Sequence, residues 1–387
     1  MRAHSALSRV QDSAAAGTAL GRDIRQALDG DAPDAVVVFA SSQHDYTLLL
    51  EALQAASGCS LLVGSSSAGE FTHQQHGTGW ATALALSSKE MIFSLGVGRS
   101  VKSDPAGAAR SAAAAFAGLR GRALPYRAAL VMTDALAGHA EQLVEELTVA
   151  TGGRHSFFGG GAGDDGRFSL THVFAGTQAL TDAVVTLEIQ SMKPIGVGVS
   201  HGWVPASAGL RVTEAEGSRL ISLNGAPAVQ AFEEHARATG QVLNRDDPLP
   251  FMLHNVLGIQ AGETYRLRVP LSVLGDGSVL CAAEIPVGSV VYVMKSTNLS
   301  AVQAAERAAR AARDAIGDRL PKAALVFDCV ATRLRLGAAF DDELKACAAV
   351  LEPAIFTGCN THGQIARAEG QFGGFHNCTA VVCVFPE

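Results

Sequence analysis

The sequence is poor in charge and lacks the runs that mark several protein classes. Charged residues are 17% of the 387, the formal net charge is −7, and Lys and Arg are nowhere clustered. That balance disfavours nucleic acid and anionic membrane surfaces as partners. No apolar run reaches the roughly 18 residues of a membrane-spanning helix. Met1–Ser8 lacks the continuous apolar core of a signal peptide. The seven cysteines are odd in number and show no pair at metal-ligand spacing. They read as reduced thiols of a cytoplasmic protein. Absent too are a Gly-x-Ser-x-Gly elbow, a Walker motif and a His-Glu-x-x-His zinc helix.

What the chain has is apolar content, 48% of its residues, enough to core two domains. One pattern recurs three times: an apolar run ending in polar residues, an amphipathic segment, then a second apolar run ending in Gly. Val36–Ser42 leads through Tyr46–Ala56 to Leu61–Ser66. Ala129–Asp134 leads through Ala140–Ala150 to Ser156–Gly160. Ala323–Cys329 leads through Asp341–Leu351 to Ala354–Thr361. A strand–helix–strand unit used repeatedly predicts an α/β fold, with mixed sheets and helices in a layered sandwich. The ends of such strands are where open α/β sheets hold ligands.

Between the units lie weaker signals. Residues 14 to 28 form an Ala-rich helix pattern, and Ala81–Leu86 with Met91–Val97 read as a hairpin. Gly159–Gly166 lets the backbone approach something closely, and its Asp164-Asp165 pair reads as a solvated turn rather than a cation site. Asn224-Gly225 is a hairpin signal, followed by a helix opened by Pro227. A domain boundary falls near residues 209 to 245.

The order of segments resembles the FIST family, whose N-terminal and C-terminal domains occur in tandem. The resemblance rests on Val38-Phe39-Ala40-Ser41, Val63–Glu70 and the junction Leu223–Ala228. In the second half it rests on Leu325–Cys329, Gly358–Ile365 and Phe375–Thr379. It implies an N-terminal helical segment at 1–30, a FIST N-type sensory domain at 31–225 and a FIST C-type domain at 226–387. The layout is also similar to the subgroup of nitric oxide sensing proteins, which bind haem through a histidine. That likeness implies a bacterial sensor holding haem b iron and responding to nitric oxide or another diatomic gas. Its signal would pass to a separate histidine kinase or cyclic-di-GMP enzyme, since no output module is visible, and a homodimer is compatible. Where many members read Thr-Tyr-Gly-Glu, this chain has Thr361-His362-Gly363-Gln364. Where many have a Gly-Cys-Arg-Pro-like run, it has His201-Gly202-Trp203-Val204-Pro205.

His201 is therefore the expected iron ligand, with Gly202 giving room and Trp203 and Pro205 beside the porphyrin. The competing reading of His201 is a strand-end histidine satisfied by hydrogen bonds. His376, in a glycine-flanked turn, orders that turn; His362, His44, His73 and His76 are weaker candidates. The alternative function is a receptor for a small polar metabolite such as an amino acid, held without haem by Ser41, Ser65, Ser66, Asn360, Thr361 and His376. A third reading assembles Cys329, His376 and Asp328 into a thiol nucleophile site, but such residues scattered over a long chain say little, and a non-enzyme is expected.

Overall fold

The computed structural model describes residues 1–121, 123–368 and 373–387. Its architecture is α/β, and the three repeats are larger than their apolar runs suggest. Each unit has four strands and two outer helices. The first uses strands Arg2–Ser8, Ala35–Ser41, Leu62–Ser67 and Ala81–Ser87, with helices Ser13–Ala27 and Tyr46–Ser57. The second uses Met91–Arg99, Tyr126–Thr133, Ser156–Gly161 and Ala183–Ser191, with helices Pro105–Ala113 and Ala140–Ala150. The third uses Gly196–Ser200, Pro321–Cys329, Ile355–Thr361 and Ala380–Pro386, with helices Asn298–Asp314 and Phe340–Leu351.

In every unit the two middle strands are parallel, and the fourth runs antiparallel between the first and second. Each sheet is then completed by a hairpin from another unit. The hairpin beginning at Glu70 leaves the first unit and pairs with Ile355–Thr361 of the third. The one beginning at Val173 leaves the second for Leu62–Ser67 of the first. The one beginning at Gln364 leaves the third for Ser156–Gly161 of the second. This cyclic exchange makes the units inseparable without breaking a ladder.

Strand alternation explains why the runs are apolar throughout. Val37 and Phe39, Leu130 and Met132, Leu325 and Phe327 face one shared core. Their neighbours Val36 and Val38, Ala129 and Val131, Ala324 and Val326 face the outer helices. Sheets buried on both faces need both positions apolar. Phe39 and Phe327 meet edge to face in the centre, ring centroids 5.6 Å apart.

Two expectations change. Ala81–Ser87 and Met91–Arg99 do not pair; they belong to different sheets, because each is claimed by its own unit. Within the segment 1–30 expected to be helical, Arg2–Ser8 is instead the edge strand beside Ala81–Ser87. Asn224-Gly225 does turn a hairpin, with φ of 49° and 81°, as the left-handed turn requires. That hairpin lies in an insert. Between Gly196–Ser200 and helix Asn298–Asp314 the third unit carries a sheet of nine strands with its own core around Phe232 and Leu257. At the same place the first two units have only short loops.

Candidate functional site

At the carboxyl ends of the parallel strands, turns from all three units interlock. Ala68 N–H donates to Asn360 O at 2.8 Å, Gly163 N–H to Ser66 O at 2.9 Å and His362 N–H to Gly161 O at 3.0 Å. Ser41, Ser65, Ser66, Asn360, Thr361 and His376 are all buried. The structure brings the first five together but turns three of them onto other residues of the interlocked turns. Ser41 Oγ donates to Asp165 at 2.8 Å, Ser66 Oγ to His172 O at 3.2 Å, and Thr361 Oγ1 pairs with Gln364 at 2.9 Å. Asp164 and Asp165 are not a solvated turn. Asp164 is 1% exposed and accepts the N–H groups of Phe168, Ser169 and Leu170. His376 lies in a buried hairpin strand, its imidazole held neutral by burial beside Arg268 and Arg266.

His201 follows the strand Gly196–Ser200 with both ring nitrogens engaged. Nε2–H donates to Tyr265 O at 3.1 Å, and Nδ1 accepts from Trp203 N–H at 3.3 Å. Burial lowers its pKa, outweighing the hydrogen bond to Tyr265 O. Gly202 gives no room, because a Cβ there would lie 2.1 Å from Ser300 O. The cavity beside His201 and Trp203 measures about 10 Å³, enough for one water. Pro205 is exposed and pairs with Met294. A porphyrin needs a pocket of at least about 300 Å³. In this conformation the His201 segment does not fit haem. His201→Ala is expected to lower stability by about 1–2 kcal/mol, since Tyr265 O and Trp203 N–H lose their partner. Urea unfolding measures it, and an unchanged midpoint would show those bonds to be idle.

The open space is elsewhere. A cleft of about 580 Å³ separates the insert from the unit ends. On one side stand Leu253, Val269, Leu271 and Glu284; on the other, Leu136, Phe168, Val330 and Leu334. Cys329, His362 and Asn377 add polar groups to the same cleft. Phe168 stacks on His362 with centroids 4.3 Å apart, and His362 Nε2 sits 3.4 Å from Asp164 Oδ1. Burial holds His362 neutral, its pKa lowered to about 4. Cys329 is lowered as well, from 9 to about 6, with the neighbouring Cys378 thiol the largest cause. No imidazole is among the groups holding that sulfur, so the suggested Cys329–His376 nucleophile pair is not assembled. A larger, more open cleft of about 880 Å³ runs past Arg154, Arg266 and Arg367. All three arginines already have partners, Arg266 in Glu141, Arg367 in the carbonyls of Gly153 and His155, and Arg154 in the Thr151 carbonyl.

Sequence motifs had pointed to Cys329 and His362 without joining them, and Phe168, Leu253 and Asn377 carried no signal as cleft residues. Comparison with known families is direct. The FIST N domain matches residues 34–226 and the FIST C domain matches residues 228–367. The chain belongs to the FIST family. FIST domains are signal-transduction sensor domains that bind small ligands. In this FIST protein the junction between the two matches falls in the insert, just after the Asn224-Gly225 turn. No curated protein matches the chain. Among solved structures, cyanuric acid hydrolase from A. caulinodans aligns at 9% identity over 100% of this chain and 99% of that one, with a TM-score of 0.32. PurLQS from Thermotoga maritima aligns at 11% identity over 99% and 72%, with a TM-score of 0.22. Similarity at that level carries neither fold nor activity. No helix among the described residues is long and apolar enough to cross a membrane.

Proposed function

We infer that this FIST protein senses a small metabolite held in the 580 Å³ cleft, without haem. The observation that carries this is the position of the cleft. One wall belongs to the insert and the other to the unit ends, so a ligand touches both. The insert leaves the third unit after Ser200 and returns at Asn298. Glu141 ties it down by ion pairs to Arg266 and Arg268 at 2.8 and 3.2 Å. A ligand that bridges the cleft stabilises one placement of the insert over another, and only such differential binding can signal. The output then passes through the protein surface to a separate partner, a histidine kinase or a cyclic-di-GMP enzyme.

The lining sets the ligand class. Its body is apolar, Glu216 and Glu284 stand at the wall, and among the described residues neither Lys nor Arg lines it. An apolar metabolite bearing an amine or hydroxyl group suits that charge better than a free carboxylate. A thermal-shift screen of amines, amino-acid amides and amino acids tests the reading. A ligand at one hundred times its Kd should add about 2.7 kcal/mol of stability. Leu253→Trp, which fills the cleft from the insert side, should abolish that gain. Undiminished binding to Leu253→Trp would place the ligand elsewhere.

The same screen includes haemin, since sensing of nitric oxide through haem b and His201 is the family subgroup's alternative. A one-to-one Soret band that His201→Ala removes would establish it and displace the metabolite reading. It would also require Gly202 to lift from Ser300.

A further inference from the structure

Two phenylalanines line the cleft, and their settings differ. Phe375 is buried in the core beneath it. Phe168 is 36% exposed and sits at φ 52°, a left-handed conformation that is an outlier for a bulky side chain. Buried Asp164 fixes it there. The Asp164 carboxylate accepts the N–H groups of Phe168, Ser169 and Leu170 at 2.9, 2.6 and 3.1 Å, so the whole turn hangs on one side chain. His362 backs the ring, nearly parallel to it at 15°. One face of Phe168 is therefore covered, and what stays exposed is the other face and the edge. Strained backbone of this kind persists only where the surroundings over-determine it, and it clusters at ligand sites.

Glu284 lines the same cleft from the insert. Its Oε1 accepts the His139 N–H at 3.2 Å and lies 3.4 Å from His139 Nδ1, while Oε2 has no hydrogen-bond partner among the described residues. Glu216, the other carboxylate at the wall, has a side chain 72% exposed and is paired with Arg219 at 3.4 Å. We propose that the ligand of the cleft is an arylalkylamine, its ring stacked on the free face of Phe168 and its ammonium paired with Glu284. This assignment rests on the metabolite reading of the same cleft and narrows it. Aromatic rings prefer offset stacking on one another, and Leu136, Leu253, Leu271 and Leu334 supply apolar surface around such a ring. A carboxylate on the ligand would meet no Lys or Arg among the described lining residues. Burying it unpaired is costly, so the corresponding aromatic amino acid binds less well.

The two contacts fall on opposite walls. Phe168 belongs to the second unit, in the turn that leads to the hairpin beginning at Val173, and Glu284 belongs to the insert. A ring without an amine holds only the first wall, and an amine without a ring holds only the second. One molecule carrying both at a fixed separation favours one placement of the insert, which is the differential binding a signal needs.

The test is isothermal titration of the full chain with phenethylamine, cyclohexylethylamine and phenylalanine. The two amines share charge and chain length, and only the first has an aromatic face. Phenethylamine should bind about three- to tenfold more tightly than the cyclohexyl compound, the worth of a stacked ring pair. Phenylalanine should bind more weakly than phenethylamine. Phe168→Leu should erase the difference between the amines, and Glu284→Gln should weaken both alike, on the order of tenfold. Where Phe168→Leu does not fold, Phe168→Asn gives the same comparison, because Asn tolerates the left-handed backbone. No binding of phenethylamine, equal binding of the two amines to wild type, or a ring preference that survives the loss of Phe168 would overturn the proposal. Failure of the broader reading looks different. If the amines fail while another compound of the metabolite screen binds and is lost in Leu253→Trp, the cleft is still the sensing site and only the arylalkylamine assignment falls.

Discussion

Gly64→Ala is expected to cost about 3–5 kcal/mol and to leave little folded protein at 37 °C, the range of severe core overpacking. Gly64 stands opposite Val38 in the parallel middle pair of the first unit, with both residues fully buried. A Cβ built there lies 1.7 Å from Val38 O and 2.8 Å from Val38 C. The atom in the way is backbone, so no side chain can swing aside. Relief requires the strands to part from their ordinary spacing of about 4.8 Å, which breaks the ladder that positions Ser65–Ser67 at the strand end. The same pinch recurs at Gly159 against Val131 O and at Gly358 against Val326 O, each 2.1 Å away. Three units share one close approach at one register. Urea unfolding of Gly64→Ala beside Gly121→Ala, whose Cβ meets nothing within 4 Å, makes the comparison. A loss below about 1 kcal/mol at Gly64 would mean that the strand pair is softer than its packing implies.

The middle strands and the helices that follow them were legible because local chemistry determines them. Apolar runs, Asp45 as helix cap and the Asn224-Gly225 turn act within a few residues. What stayed hidden is set by distance along the chain. Glu70–Thr72 finds its partner beside Thr357–Cys359, nearly three hundred residues away, and nothing in its own sequence says so. The cleft was hidden for the same reason. Cys329, His362 and Asn377 stood in separate motifs, and only the pairing of the third unit with the insert sets them around one space. At His201 a local reading misled. Glycine beside a histidine suggests an opening, but Gly202 is small because the backbone of helix Asn298–Asp314 presses on it. A small residue marks close approach, and sequence does not say whether the visitor is a ligand or the chain itself.

Glu70→Gln is expected to make the protein more stable than wild type above neutral pH, by on the order of 3 kcal/mol at pH 7. Glu70 begins the hairpin exchanged into the third sheet and is fully buried. Ser67 Oγ donates to its Oε1 at 2.5 Å and Trp80 N–H to its Oε2 at 3.0 Å. Burial nonetheless dominates, with Asp165 adding repulsion and Arg333 opposing it, and the carboxyl is pushed up from 4.5 to about 8. The native state therefore keeps a proton that the unfolded chain releases near pH 4.5. Between pH 4.5 and about 8 the native state binds more protons, so rising pH destabilises it by about 1.4 kcal/mol per unit from this group. Above pH 8 that slope levels off. The third unit shows what fits there: Gln364 begins its exchanged hairpin and pairs with Thr361 as Glu70 does with Ser67. A neutral amide at position 70 removes the titration and keeps both partners with one bond reversed, its oxygen accepting from Trp80 N–H and its NH2 donating to Ser67 Oγ as Gln364 does to Thr361. Glu343 and Asp328, both raised by burial, tilt the wild-type curve in the same direction, so the difference between the two proteins is the quantity to read. Urea unfolding at pH 5, 6, 7 and 8 should give curves that coincide near pH 5 and diverge upward for Glu70→Gln. Parallel curves would mean that Glu70 is ionised in the fold and that Arg333 outweighs its burial.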